Sequence, residues 1–301
     1  MKSRIVAVLA GLSAAALALS ACGSDSLDTS AAPTPDGTVA EVKANPELEA
    51  RLPEDLRASK RIVVGTDSTY APNEFLDTDG RTVIGMNVDL FDAAAAKFGL
   101  TVEWQPSGFD AIITGVQSKK FGAGVSSFTI NPQRLEQVHM VSYFSAGTQW
   151  ATQPGNPNDV DPENPCGKTV AVQTGTIQDE NDLPARQERC ADNPINILQF
   201  EGQDQATAAV VSGRADAMLA DSPIVAYAVK QSEDRLEALG DIYEAAPYGI
   251  VVPKDQTEFA EAIAEAFTEL EADGTYEQIL EKWGTEQGAI DTFEVDPNVA
   301  G

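Results

Sequence analysis

Along residues 61–221 the apolar positions switch repeatedly between two periods. Residues 61–66 (RIVVGT) form a short β-branched run, and 87–98 set Val88, Phe91, Ala94, Ala95 and Phe98 at helical spacing before a stop at Gly99. The same strand-then-helix unit follows, with strand over 101–104, helix over 110–119 and strand over 123–126. Asn131-Pro132 then starts a helix with an N-cap residue and a proline at the first helical position. Past the middle of the chain, 168–173 (KTVAVQ), 195–198 and 217–220 read as strands, separated by helices near Gln178 and over 203–212. Ser222-Pro223 opens a further helix by the same cap logic. Two βα series predict an α/β protein with two parallel-type sheets. Between the series, 143–152 and 243–252 are extended in character and can carry the chain out of one lobe and back into it. Helices over 257–272 and 275–283 close the body.

The N-terminus has a different pattern. Lys2 and Arg4 precede an apolar run over 5–19 that ends in Leu19-Ser20-Ala21-Cys22, which reads as a bacterial signal peptide over 1–21. The run is short of the ~20 residues a spanning helix needs. Small residues before Cys22 resemble a lipobox, in which that cysteine is diacylated and becomes the mature N-terminus. The Ser-, Thr-, Ala-, Asp- and Pro-rich stretch behind it has too little apolar content to order, so 22–45 is expected to be a flexible tether. Nothing later in the chain is apolar for long enough to cross a bilayer.

Charge and cysteine usage narrow the function classes. A formal charge of −27 argues against nucleic acid or anionic lipid headgroups as partners, which need clustered Lys and Arg. With Cys22 assigned to lipid, Cys166 and Cys190 form an even pair in an oxidising compartment, so a disulfide is expected. One histidine, His139, and no further cysteine leave no zinc set, and no metal or cofactor is expected.

Seven segments in order, GTDSTYAPNEF (65–75), IGMNVDL (84–90), FDAIITGVQSKK (109–120), SSFTINPQR (126–134), VAVQTGTIQ (170–178), GRADAMLAD (213–221) and DGTYEQILEKWG (273–284), resemble the extracellular solute-binding protein family 3, the polar amino acid receptors of ABC transporters. The resemblance covers residues 61–283. It implies a two-lobed periplasmic binding protein of type II architecture with two crossing hinge strands and an interlobe ligand cleft. Lobe 1 is then 46–148, with an N-terminal helical extension, plus 247–289; lobe 2 is 149–246 and a C-terminal tail is 290–301. The implied partners are a free amino acid and ABC permease subunits, with the protein extracytoplasmic, monomeric and held to the membrane through Cys22.

An α-amino acid presents a carboxylate and an ammonium on one carbon, so a selective site needs a fixed cation, a fixed anion and neutral hydrogen-bonding groups. Arg134 is the expected cation, because a guanidinium grips a carboxylate with two parallel bonds; the matching family arginine has this role, whereas a surface pairing with Glu136 or Asp110 is the plain alternative. Ser126, Ser127 and Thr129 precede it and line the cleft in the family. Asp221, at the carboxyl end of its strand where open α/β sheets place ligands, is the expected anion; it could instead only cap the helix begun by Ser222-Pro223. Thr176 and Gln178 open a lobe-2 helix whose N–H groups favour a carboxylate, or form a plain cap, and Gln173 sits at a side-chain contact position in the family. Tyr70 and Phe109 are candidates for an aromatic clamp or for ordinary core.

Asp67, at the end of the first strand with Asn73 and Glu74 nearby, points to a polar or basic ligand side chain, ordered as glutamine, glutamate or asparagine close to arginine or lysine. Alternatively it bonds the N–H groups of its own turn. Three positions depart from the family pattern: Asn87 and Gly122, in segments expected to be scaffold, and Asn73, near the pocket. The chain carries no Ser-His-Asp set, phosphate loop or metal cluster, so binding is expected rather than catalysis, although some periplasmic dehydratases share the fold; a sensing receptor without transport is a further alternative.

Overall fold

The structure, a computed structural model, describes residues 41–190 and 192–299. The expected signal peptide, Cys22 and most of the expected tether lie outside the described residues.

Two short helices, α1 (Pro46–Ala50) and α2 (Glu54–Ser59), lead in and bury Leu48, Leu52 and Leu56 on the first core. The strands and helices then follow the predicted alternation. They are β1 (Arg61–Thr66), the small strands β2 (Thr69–Tyr70), β3 (Glu74–Leu76) and β4 (Val83–Ile84), α3 (Met86–Lys97), β5 (Thr101–Pro106), α4 (Phe109–Gln117), β6 (Ala123–Gly124), α5 (Pro132–Gln137) and β7 (His139–Thr152). Next come β8 (Thr169–Gln173), a π-helical turn (Gln178–Asp182) running into α6 (Leu183–Arg189), β9 (Asn196–Phe200), α7 (Gln203–Val211), β10 (Ala217–Asp221) and α8 (Ser222–Gln231). The chain returns through β11 (Glu237–Val252) to α9 (Thr257–Ala272) and α10 (Thr275–Trp283), with a 3₁₀ turn over Glu286–Gly288.

The expectation of two separate parallel-type sheets is corrected in one respect. A single eight-stranded sheet has the order β5-β1-β6-β11-β7-β10-β8-β9. Its outer strands pair in parallel on each side, β5 and β6 with β1, and β10 and β9 with β8. The two middle strands run antiparallel to each other and to their flanking neighbours. The reason is length: β7 has 14 residues and β11 has 16, and at ~3.3 Å per residue each spans roughly 45–50 Å, enough to serve as a middle strand for both halves.

Each end of the sheet has its own core. Val64, Phe91, Ala94, Phe259, Phe267 and Ile279 belong to one buried cluster, Ala171, Ala206, Val210, Met218 and Ile224 to another. Strands β8 and β10 are buried almost throughout, as parallel strands covered on both faces are. Cys166 and Cys190 form the expected disulfide, tying the approach to β8 to the end of α6. The described part of the tail is docked: Phe293 packs on Phe267 and Tyr276, and Asp296 accepts hydrogen bonds from the Met140 N–H and His139. Among the described residues no helix is long and apolar enough to cross a membrane.

Candidate functional site

Strand β2, the start of α4, the loop from β6 into α5, the π-helical turn and the carboxyl end of β10 converge on one small cavity. Tyr70, Phe109, Ser127, Thr129, Arg134, Thr176, Gln178 and Asp221 all line it, and Ile177 is the one lining residue that the sequence reading missed. It measures about 10 Å³, room for about one water.

Arg134 is set by local sequence. Pro132 stands at the start of α5, and the Asn131 side chain accepts the Arg134 N–H at 2.9 Å, so the short helix begins where its third residue faces the cleft. The guanidinium donates to the Thr129 carbonyl at 2.7 Å and, across the cleft, to the Gly175 carbonyl at 3.1 Å. Its central carbon lies 5.4 Å from both the Phe109 and the Phe128 ring, and these rings stack on each other at 4.6 Å. Burial pulls its pKa down to about 10, against the opposing charges of Glu180 and Asp221, so it stays a cation at neutral pH. Among the described residues no carboxylate pairs with it, which removes the surface-pair alternative. Gly175, with φ +80°, lets the second lobe approach this closely: a Cβ there would sit 3.1 Å from the Cβ of Asp110.

Asp221 stands at the N-terminus of α8 but makes no side-chain cap. Its carboxylate accepts the Tyr248 hydroxyl at 2.7 Å and the Gln178 amide at 2.8 Å, while its own N–H donates to the Tyr70 hydroxyl at 3.3 Å. Burial raises its pKa, because both donors are neutral and Arg134 offsets the desolvation only in part. Gln178 also donates to the Thr148 hydroxyl at 3.0 Å, linking the π-helical turn to β7. The Thr176 hydroxyl is committed to the Gln173 carbonyl at 2.8 Å. Phe109 and Tyr70 combine both expected roles: each lines the cavity, and each is part of a buried apolar cluster, Tyr70 reaching the cluster around Ala220 and Ile224.

Three candidates stand behind the cavity rather than on its wall. Asp67 accepts the Thr69 N–H and hydroxyl at 3.0 and 2.7 Å, the Phe109 N–H at 3.2 Å and the Gln173 amide at 2.8 Å. It therefore closes its own turn, holds the start of α4 and reaches a residue of the opposite parallel strand set. Burial pushes its carboxyl up to about 6. The Ser126 hydroxyl accepts the Asp67 N–H at 2.9 Å, so Ser126, Asp67 and Gln173 form one chain.

The residue that sequence reasoning undervalued most is Glu74. It is fully buried, accepts the Ser127 hydroxyl at 2.9 Å and the Asn87 amide at 2.5 Å, and burial holds its carboxyl well above the usual range. Ser127, at φ +53°, also accepts from Asn73 at 2.9 Å and Asn87 at 3.0 Å. Its one proton and both lone pairs are thus engaged, so its hydroxyl is held for the scaffold. Asn87, expected to be scaffold alone, is instead one bond from a cavity-lining residue. The adjoining Asn73-Glu74 dipeptide was the available signal, since polar residues between apolar neighbours in a β-rich loop are buried only when paired.

Residues 62–286 match the family described as bacterial extracellular solute-binding proteins, family 3. Among curated proteins the chain is 39% identical over 249 residues to "Arginine-binding protein ArgT" of Corynebacterium glutamicum, an alignment covering 82% of this chain and 81% of that one. It is 28% identical over 230 residues to "Probable ABC transporter arginine-binding protein ArtJ" of Chlamydia trachomatis, covering 75% and 86%. Among solved structures it superposes on an ancestral arginine-binding protein bound to arginine with a TM-score of 0.70 and 33% identity, covering 74% of this chain and 98% of that one. With its two-lobed α/β architecture and three quarters of its length inside the family's bounds, the chain belongs to family 3 of the bacterial extracellular solute-binding proteins.

Proposed function

We propose that the protein captures a free amino acid with a cationic side chain, arginine foremost, between its lobes and delivers it to an ABC importer. The observation that carries the reading is the set of buried acids at the cavity, Asp221 on its wall with Asp67 and Glu74 behind it, whose ionisation burial opposes and which have Arg134 as the one buried cation beside them among the described residues. The backbone zwitterion of any amino acid adds no net charge, and only a cationic side chain brings the positive charge that offsets desolvation at Asp67 and favours its ionised form. Burying unpaired charge is costly, so this difference favours arginine or lysine over glutamine or an aliphatic residue.

In this reading the ligand carboxylate bonds Arg134, with Thr129 and Thr176 beside it, and Asp221 takes the ammonium. The side chain runs over Phe109 and Tyr70 toward the Asp67–Gln173 pair. Relatives named for arginine support the same choice. With room for about one water, the cavity admits an amino acid only when the lobes part, as in hinge closure around ligand, for which periplasmic binding proteins are the standard case. The lobes divide at 46–148 with 247–289 and at 149–246, and 290–301 form a tail. The mature protein is a monomeric binding protein, not an enzyme, tethered outside the cytoplasm through a lipid on Cys22. The Lys2 and Arg4 charges, the apolar run and the small residues before Cys22 support that placement.

A thermal-shift panel of the common amino acids on ligand-free protein tests the assignment. At ligand about 1,000-fold above Kd the linkage free energy is ~4 kcal/mol, worth roughly 8 °C or more in Tm for lobes of this size. Arginine is expected to give the largest shift, with lysine next. A panel in which leucine or valine leads, or in which nothing moves the midpoint, overturns the reading.

A further inference from the structure

On the other face of the hinge ribbon lies a second cavity of about 380 Å³. Strand geometry puts it there: the Thr148 hydroxyl bonds Gln178 on the cleft side, while its neighbours Gly147 and Gln149 line this cavity, as alternation along a strand requires. No residue lines both cavities, yet Pro72 of this one is two residues from Tyr70, and Ser222 is next to Asp221. One wall is the exposed face of α8, with Ala226, Tyr227 and Lys230. The facing wall is the end of α10 and its 3₁₀ turn, from Trp283 to Gly288, and the floor is β7 and β11.

The chemistry of this lining differs from the rest of the molecule. The chain has 47 acidic residues and 20 Lys and Arg, yet no acidic residue lines the cavity, and Lys230 is its one charged group. Phe144, Pro223, Tyr227, Trp283 and Ile242 supply apolar surface, and Ile242, 50% exposed, is the one large exposed hydrophobic side chain among the described residues. Tyr227 is half-buried, and desolvation alone raises its pKa to about 12. The volume falls inside the ~300–1,000 Å³ range of small-molecule sites, which are mostly apolar with a few convergent polar groups.

We infer that this hinge-back cavity is a second binding site, for a small organic anion with an apolar body such as an aryl or medium-chain carboxylate. The carboxylate pairs with Lys230, and the body lies on Phe144, Tyr227 and Ile242. Because the two walls belong to opposite sides of the hinge, a molecule between them acts as a wedge that holds the arrangement described here, with the cleft narrow. Occupancy then tightens amino acid binding, and by linkage the amino acid tightens anion binding by the same factor.

The test is a titration of the mature protein with phenylacetate, with benzyl alcohol as the uncharged control. Phenylacetate is expected to bind with Kd about 0.1–10 mM, as befits a ligand of so few atoms. Lys230→Gln is expected to weaken phenylacetate about two- to fivefold, the range for an exposed ion pair, and to leave benzyl alcohol unchanged. Ala226→Trp, which fills the cavity, is expected to abolish binding of both while its circular dichroism stays native. Arg134→Ala separates the two cavities: phenylacetate binding that persists there supports the hinge site, and binding lost there places the anion in the cleft and overturns it. No phenylacetate binding at about 10 mM, or binding indifferent to both Lys230→Gln and Ala226→Trp, also overturns it. The coupling arm, a lower arginine Kd with phenylacetate present, rests on the proposed function; the titration arm does not, so each reading fails separately.

Discussion

Arg134 has two backbone carbonyl acceptors, two aromatic rings and, among the described residues, no carboxylate partner, a costly way to bury a charge unless an anion completes it. Arg134→Ala is therefore expected to cost ~2–5 kcal/mol of arginine affinity, about 30- to several-thousand-fold, with an unchanged fold by circular dichroism. Calorimetric titration checks this, and affinity within a few-fold of the parent would falsify the assignment. Asp67 carries a pH signature. Moving its carboxyl from an ordinary 3.8 to about 6 favours the folded state at low pH; that advantage is lost as pH rises through about 6, a penalty of about 3 kcal/mol at neutral pH. A cation beside it favours the ionised form, so arginine affinity should hold above pH 6 and fall by up to about tenfold per pH unit below it. In the proposed binding mode Asp221 faces the ammonium of every amino acid, so its titration is shared. The difference between the arginine and glutamine pH profiles isolates Asp67, and Asp67→Asn should erase that difference. Parallel profiles in the parent protein would remove Asp67 from side-chain recognition.

At the scale of elements, the approach to β8 and the end of α6 are held together by the Cys166–Cys190 bridge, 24 residues apart in sequence. The chain-entropy model assigns a loop of that length ~3.5 kcal/mol. Replacing both cysteines by serine is expected to lower Tm by roughly 7–14 °C at this domain size, read by calorimetry, with amino acid binding retained because neither cysteine lines the cavity. A Tm unchanged by the double substitution would show that the bridge adds nothing to this half of the molecule. The π-helical turn matters differently. It delivers Gln178 to both Thr148 and Asp221, and so ties the site to a crossing strand. Such irregular turns often mark functional positions.

For the whole molecule, hydrogen bonds that join the lobes around the cleft include Arg134 to Gly175, Gln173 to Asp67, Asp221 to Tyr70, Tyr248 to Asp221, Gln178 to Thr148, and the Gln203 N–H to Thr69 at 3.1 Å. A Cβ on Gly202 would lie 3.1 Å from the Thr69 methyl, and Gly202, at φ −112°, tolerates a side chain once the Asp204 carboxylate that crowds the position swings aside. Thr69→Cys with Gly202→Cys, which puts one sulfur where the γ atoms of Thr69 stand beside the Gly202 Cβ position, should therefore form a disulfide across the cleft. The oxidised variant is expected to take up no arginine, and reduction to restore binding. Uptake by the oxidised form at the parent rate would show that entry does not require the lobes to part.

Much of this was legible in one dimension. The strand-helix alternation, the two crossing segments and the closing helices follow from period, caps and breakers, which act over a few neighbouring residues. Arg61–Thr66, Thr257–Ala272 and Thr275–Trp283 have the bounds expected of them. Eight of the residues expected at the site meet at one cavity, because strand ends and helix starts put polar side chains at the carboxyl edge of a sheet. Other features depended on neighbours distant in sequence. The long middle strands fuse both halves into one sheet, since strand length is set by pairing along the whole ladder rather than by local propensity. The bonds of Ser127 to Glu74, Asn73 and Asn87, and of Asp221 to Tyr248, span between 27 and 54 residues, and the direction of a hydroxyl is decided by its partners. Local chemistry determined which residues come to the cleft, and tertiary packing alone decided which of their polar atoms are already engaged, because hydrogen-bond capacity is shared among groups that meet only in the folded chain.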